Sequence, residues 1–212
     1  MAEAMFAVLA VAIVVGALVG LATGGRIGQL AGTRLRALGL LVVGAGAQAL
    51  VLDGVISLHG WAAMVVLVGA YVALAGFAAA NLGRGGMGVI LAGIALNAVP
   101  IAVNSGMPVE AGAIVRARIA TPDELPLLTF GTKRHLAGTG DHLRILDDRF
   151  PDWMTHHVLS FGDLVIGVGV GAVTSGLLHP ATGRRRRRRR AGGPEPDAGG
   201  PDPVEAVAAP GP

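Results

Sequence analysis

Six polar side chains interrupt apolar stretches of this 212-residue sequence and are the first candidates for chemistry. They are two carboxylic acids, three amides and one hydroxyl: Gln48, Asp53, Asn97, Asn104, Ser160 and Asp163. A polar group among apolar residues loses its hydration unless a partner satisfies it, so such groups indicate binding, catalysis or interhelical hydrogen bonds. We expect them to form a polar cluster near one end of the apolar elements.

Ser160 and Asp163 also admit a purely structural interpretation. Ser is a preferred N-cap residue, and Asp163 stands at the capping-box position three residues later, where Glu or Gln is more usual. A carboxylate in the first turn is also favoured by the helix dipole. The spacing therefore leaves both a polar site and a helix cap open.

Histidines and carboxylates are concentrated between Asn104 and the last apolar run, and both are metal-ligand types. They are His135, His142, His156, His157, Asp141, Asp147, Asp148 and Asp152. No pair has a diagnostic helical spacing such as HExxH, and the pattern defines no set of three ligands.

The absence of cysteine excludes disulfides and thiolate chemistry. No nucleophile or phosphate-loop motif is present either. We therefore expect no catalytic residue, no metal and no cofactor.

Five apolar runs must position these residues. Ala4–Ala22 and Trp61–Ala80 contain no charged residue, and each is long enough to cross a hydrocarbon core of roughly 30 Å as a helix. The pattern predicts an all-α polytopic membrane protein, a five-helix transmembrane bundle within residues 1–180. The helices are predicted near 4–23, 37–58, 61–80, 86–103 and 158–178, with an irregular outer loop over 104–157 and a short helix at 111–119.

Basic residues orient this bundle. Arg26, Arg34 and Arg36 follow the first run, whose own start carries no positive charge. Neither predicted cytoplasmic loop contains an acidic residue. The positive-inside rule therefore predicts a retained first helix, the N-terminus outside and the C-terminus inside.

Residues 181–212 are predicted to be a disordered cytoplasmic tail, because they are rich in arginine, proline and glycine and contain no apolar side chain larger than valine. The tail holds seven consecutive bases: Arg184, Arg185, Arg186, Arg187, Arg188, Arg189 and Arg190. We expect this run to orient the last helix and to contact anionic lipid headgroups, at about 1 kcal/mol per residue. Without it the chain is slightly acidic, so no nucleic-acid partner is expected.

Small residues predict close helix packing in the membrane. Gly16, Gly20 and Gly24 recur at four-residue spacing, as do Gly167 and Gly171. This is the small-xxx-small pattern that lets helix backbones approach each other.

By helical rise, Asn97, Asn104 and Asp163 fall at a similar depth near the outer face, and we expect them to meet there and hold the outer loop.

Several motifs together resemble a known family. They are Gly24-Gly25-Arg26, Asn81-Leu82, Asn97 ahead of Asn104-Ser105-Gly106-Met107-Pro108-Val109, and Ser160-Phe161-Gly162-Asp163. Residues 5–178 resemble an uncharacterised, mostly actinobacterial family of small multi-pass membrane proteins classed as a domain of unknown function. Its exit motif more often reads Asn-Gly-Gly-x-Met-Pro-Val, so Ser105 and a one-residue shortening depart from it. The resemblance implies residence in the bacterial cytoplasmic (plasma) membrane and a common fold, and it implies no activity.

Three classes of function remain. The first is a non-enzymatic membrane protein with a polar pocket at its outer face, which binds a lipid or small solute, or acts as a partner subunit or homo-oligomer. The second is a small transporter or channel component with Gln48, Asn97 and Asp163 along its path. The third is a membrane enzyme for a lipid-linked substrate, with Asp53, Asp163 or Asp147 as acid or base.

Overall fold

Most of the described part of the chain is helical. The computed structural model describes residues 2–32, 34–52, 60–130 and 133–180. The α-helices in these ranges are α1 (Ala2–Ala22), α2 (Leu38–Leu52), α3 (Gly60–Ala80), α4 (Met87–Asn104), α5 (Ala111–Arg116) and α6 (Phe161–Leu177). Asp53, the seven arginines and the predicted disordered tail lie outside the described residues.

The long helices follow the apolar runs closely, with one informative difference. The last apolar run predicts a helix from residue 158, but α6 begins at Phe161 because His157–Leu159 forms a strand and Ser160 caps the helix. Asp163 is therefore in the first turn of α6, and the predicted helix start at 158, which would place Asp163 five residues into the helix, is wrong. The predicted second helix, 37–58, is described as far as Leu52.

Within the described residues, two helices are long and apolar enough to cross a membrane, α3 and α4. Three further apolar helical segments are shorter: Ala7–Ala22, Leu38–Leu50 and Phe161–Leu177. Only 39% of the most apolar window of α3, and 33% of that of α4, is buried inside the protein. The remaining residues of both stretches are partly or fully exposed, as expected for helices in contact with lipid.

The five long helices pack as a row in the spatial order α1, α6, α4, α3, α2. Glycines line several of these contacts, among them that of α1 with α6. A Cβ atom built on Gly16 would collide with the backbone of Gly171, and one on Gly20 would lie 2.7 Å from the Leu178 side chain. Gly24, by contrast, has a positive φ of 91° and ends α1 in a turn. The α1–α6 contact therefore uses Gly16, Gly20 and Gly171 of the small-residue pattern.

The segment between α4 and α6, residues 105–159, is called the cap below. The sequence predicts an irregular loop with one short helix here, but the described part of the cap also contains two small sheets. Strand β1 (Met107–Val109) pairs in parallel with β2 (Arg134–Leu136), and β3 (Phe150–Asp152) pairs antiparallel with β4 (His157–Leu159). Each strand has three residues, too few for an alternating apolar pattern to predict it.

The cap has a small core of its own and also joins the core of the bundle. Its own buried residues come from β1, from α5 and its end, and from β4: Val109, Ala113, Ile114, Ala117 and Val158. Met107 of β1 instead packs into the main core with residues of α3 and α4: Leu67, Tyr71, Ala78, Ile94 and Ile101. The first strand of the cap is therefore fixed on the end of the bundle.

Candidate functional site

A buried hydrogen-bonded network joins α4 to the start of α6. Asn97 donates from Nδ2 to Oδ1 of Asp163 over 2.7 Å, and the Ser160 hydroxyl donates to Oδ1 of Asn97 over 2.7 Å. All three side chains are buried, and Ser160 is fully inaccessible. Three of the six polar candidates are thus brought together, and each satisfies the others.

The same residues form the cap of α6. The Ser160 hydroxyl accepts a bond from the Asp163 backbone N–H, and the Asp163 Oδ2 accepts one from the Ser160 backbone N–H, both at 3.0 Å. This is a complete capping box, with Asp in the place of the more usual Glu. The two interpretations of these residues are not alternatives, because Asp163 uses one oxygen for the cap and the other for Asn97.

Close backbone approach makes the network tight. A Cβ atom on Gly162 would collide with the Asn97 side chain, and one on Gly93 would lie 2.8 Å from the Gly162 carbonyl and 2.7 Å from Ile166 Cγ1. Glycine at both positions lets α4 and α6 approach closely enough for the short Asn97 and Asp163 side chains to bond. This contact is the packing reason for the Ser160-Phe161-Gly162-Asp163 motif.

Asn104 makes a separate contact at the last residue of α4. Its Nδ2 donates to the His142 carbonyl over 2.9 Å, and its Oδ1 accepts from the His142 backbone N–H over 2.8 Å. Both polar atoms of the Asn104 amide therefore bond the cap backbone, whereas Asn97 bonds Asp163 and Ser160. The expected three-residue cluster is replaced by two contacts on the same helix.

A buried ion pair lies in the cap. Arg134 Nε is 2.6 Å from Asp148 Oδ2, and Arg134 Nη2 donates to the Val158 carbonyl over 3.2 Å. The Asp148 backbone N–H donates to the Pro108 carbonyl, and its carbonyl accepts from the Glu110 N–H. Asp148 and Arg134 therefore connect β1, β2 and β4.

Burial raises the pKa of the Asp148 carboxyl from its ordinary 3.8 to about 6. The Arg134 guanidinium and the Lys133 ammonium oppose this rise, and the carboxylates of Asp163 and Asp147 reinforce it. Burial likewise raises the pKa of Asp147, against the effect of the Arg144 guanidinium.

Lys133 makes a further link between cap and bundle. Its ammonium lies 5.6 Å from the centre of the Tyr71 ring on α3, within cation–π range. Its backbone carbonyl accepts a 2.6 Å bond from the Met107 N–H. Sequence reasoning did not select Lys133, Arg134 or Tyr71 as site residues. The sequence offers only a weak signal for them, the adjacent bases Lys133-Arg134 and the adjacent acids Asp147-Asp148, which does not define which residues pair.

The remaining candidates lie elsewhere. Gln48 is half-buried within α2. Among the histidines, His135 pairs with Asp141 at 2.9 Å, and His156 bonds the Ala117 carbonyl. Within the described residues, no group of three His, Asp or Glu side chains could hold a metal ion.

An open apolar groove, called the α3 groove below, lies apart from the polar network. Its volume is about 760 Å³, and its lining comes from the first half of α3 and the start of the cap: Gly60, Trp61, Met64, Val65, Val68, Gly69 and Ser105. Trp61 is 80% exposed at one end of it. The predicted polar pocket is therefore a filled network, and the open space on this side of the protein is apolar.

Comparison with known proteins identifies one family. The model described as "Family of unknown function (DUF5317)" matches residues 32–174. The match includes the cap, the α3 groove and the Asn97–Ser160–Asp163 network, and it leaves out α1. No curated protein and no solved structure matches the chain.

Proposed function

The chain belongs to this family of unknown function, DUF5317, and we propose that it is a five-span protein of the bacterial cytoplasmic membrane that binds a lipid acyl chain without catalysing a reaction. The α3 groove is the binding site in this proposal. The Asn97–Ser160–Asp163 network and the Arg134–Asp148 ion pair hold the cap beside it.

The proposed topology is supported by the contact between two basic loops. The Asn81 amide, in the α3–α4 turn, accepts from the Arg36 N–H and donates to the Arg36 carbonyl, both over 2.9 Å. Arg84 Nη2 donates to the Arg34 carbonyl over 2.6 Å. The loops before α2 and after α3 therefore lie at the same end of the bundle, as a cytoplasmic position of both requires.

The α3 groove carries the proposal of lipid binding. The side chains of its walls are aliphatic, thioether and indole groups, with one hydroxyl, that of Ser105, at the cap. Such a surface suits an acyl chain, since ligand sites are mostly apolar with few polar groups. Trp61, at the start of α3, belongs to a residue type that is enriched at the level of the lipid headgroups.

The bonding of Asp163 supports a structural role over an acid–base role. Both of its carboxylate oxygens accept hydrogen bonds, and the side chain is 5% exposed. A general base must reach the proton that it removes, and a transport path needs polar groups that face open space. Asn97 and Asp163 are instead used to join α4 and α6.

Filling the groove tests the proposal. Gly69 lines the groove and a Cβ atom on it would meet nothing within 4 Å, so Gly69→Leu adds a side chain at the groove that starts in open space. Gly46→Leu in α2 is the matched control, since Gly46 is also helical, also has open space, and does not line the groove. Native mass spectrometry of both variants should show loss of bound lipid for Gly69→Leu alone. Equal lipid retention by the two variants would refute binding in the groove.

A further inference from the structure

The cap has an exposed apolar turn where it meets the ends of the bundle helices. The 3₁₀ turn Arg144–Leu146 packs against both α4 and α6. Just before it, the Asn104 amide holds the His142 backbone from both sides. These contacts place Leu143–Ile145 beside the last residue of α4, at the level where α4 leaves the bundle.

The side chains of this turn face outward although they are apolar. Ile145 is 72% exposed and Leu143 is 45% exposed. The nearby end of α4 also presents apolar side chains, those of Val99 and Val103, to the surroundings. The turn and the neighbouring end of α4 therefore both expose apolar side chains.

Arg144 stands between the two apolar residues and its side chain is largely exposed. Asp147 is its nearest acid, at 4.0 Å, and that carboxylate is itself buried. A guanidinium on a flexible apolar stem, flanked by apolar side chains, can reach lipid phosphate while its neighbours enter the acyl region.

The backbone of the turn is fixed in an unusual conformation. Leu143 has a positive φ of 58°, which L-residues other than glycine rarely adopt. The Leu146 N–H bonds the Leu143 carbonyl, and Asn104 holds the preceding residue. The apolar side chains are thus presented by a fixed turn and not by a free loop.

From these contacts we propose that Leu143–Ile145 inserts into the outer lipid interface and that Arg144 binds a lipid phosphate there. The turn then anchors the cap to the bilayer beside the α3 groove. This inference rests on the proposed membrane topology, and its test must separate the two.

Because the chain has no cysteine, single nitroxide labels at introduced cysteines measure depth directly. The full-length protein is placed in vesicles of phosphatidylcholine with phosphatidylglycerol, and collision with oxygen is compared with collision with a water-soluble nickel chelate. The label at Ile145→Cys should collide more with oxygen than with the nickel chelate. Val65→Cys, on the exposed face of α3, reports on the membrane topology, and Leu127→Cys, a 79% exposed cap residue, should favour nickel.

The outcomes are distinct. A label at 145 that favours nickel, with one at 65 that favours oxygen, overturns the anchor and leaves the proposed function standing. A label at 65 that favours nickel overturns the membrane topology and the anchor together. The phosphate contact is tested by adding Arg144→Gln, which should shift the label at 145 toward water, whereas Arg116→Gln, a comparably exposed arginine, should not. Equal depth in both arginine variants overturns the role of Arg144.

Discussion

Asp163 is the residue on which the start of α6 depends. Asp163→Leu removes two acceptors and leaves the Asn97 amide and the Ser160 backbone N–H buried without partners, at about 1–3 kcal/mol each. Asp163→Asn retains one carbonyl oxygen and should lower the free energy of unfolding by less. Equilibrium unfolding in detergent micelles measures both. Equal losses would show that the charge of Asp163, and not its hydrogen bonds, stabilises the protein; Asp123→Asn, at an exposed site, is the control.

Asp148 should make stability depend on pH. Its pKa of about 6 in the folded protein exceeds the ordinary 3.8, so the folded state binds its proton more tightly than the unfolded state does. The contribution of Asp148 to the free energy of unfolding is fully present below about pH 4. It declines as the pH rises through about 6, by about 3 kcal/mol in all.

The measurement is the difference between wild type and Asp148→Asn in unfolding free energy from pH 4 to pH 7. The amide of this variant cannot titrate, so the variant should lack the decline, although it weakens the pair with Arg134 at every pH. Asp148 also faces Lys133, Asp147 and Asp163, and the comparison cancels effects that the two proteins share. Parallel pH profiles would contradict a raised pKa at Asp148.

Sequence reasoning selected Asn97, Ser160 and Asp163 because a polar or capping residue in an apolar run needs a partner, and the run itself limits where the partner lies. The ion pair of Arg134 and Asp148 could not be found in this way. Both residues stand in a polar segment where charges are ordinary, and their burial depends on how β1, β2 and β4 come together.

At the scale of elements, glycine spacing determines how closely α4 and α6 approach. Gly93→Ala would place a methyl group 2.7–2.8 Å from Ile166 and the Gly162 carbonyl, so overpacking should destabilise the protein by about 1–3 kcal/mol. Gly46→Ala in α2 meets no neighbour and should stabilise it by up to about 1 kcal/mol through helix propensity. Thermal unfolding of the two variants should therefore shift in opposite directions, and shifts of the same sign would contradict the packing at Gly93.

The long helices could be predicted because an uncharged run of that length can satisfy its backbone hydrogen bonds in hydrocarbon only as a helix. Apolarity alone does not locate the beginning of α6, since Val158 and Leu159 are as apolar as the helix that follows, whereas the capping pattern of Ser160 and Asp163 agrees with the observed start at Phe161. Their strand pairing with Phe150 and Pro151 is a tertiary contact, and local composition does not specify it.

At the scale of the whole molecule, the proposed topology places the α3–α4 turn inside and the cap outside. Gly83 and Leu127 are exposed at these two places. In intact cells an impermeant maleimide should label Leu127→Cys, and it should label Gly83→Cys only after the membrane is permeabilised. Labelling of Gly83→Cys alone in intact cells would invert the topology.

The pairing of α1 with α6 has a consequence for the time course of synthesis. The Arg26 N–H bonds the Leu178 carbonyl, and Gly16 fits against Gly171, so α1 is completed by a helix that is synthesised well after it. At roughly 5–20 residues per second, the intervening chain takes about 10–30 s to appear. In the proposed topology α1 waits in the bilayer during that interval, with the glycine face that meets α6 not yet covered by that helix. Ribosome-bound chains halted before α6 should therefore contain an α1 that a second copy of the α6 segment, supplied in trans, can capture.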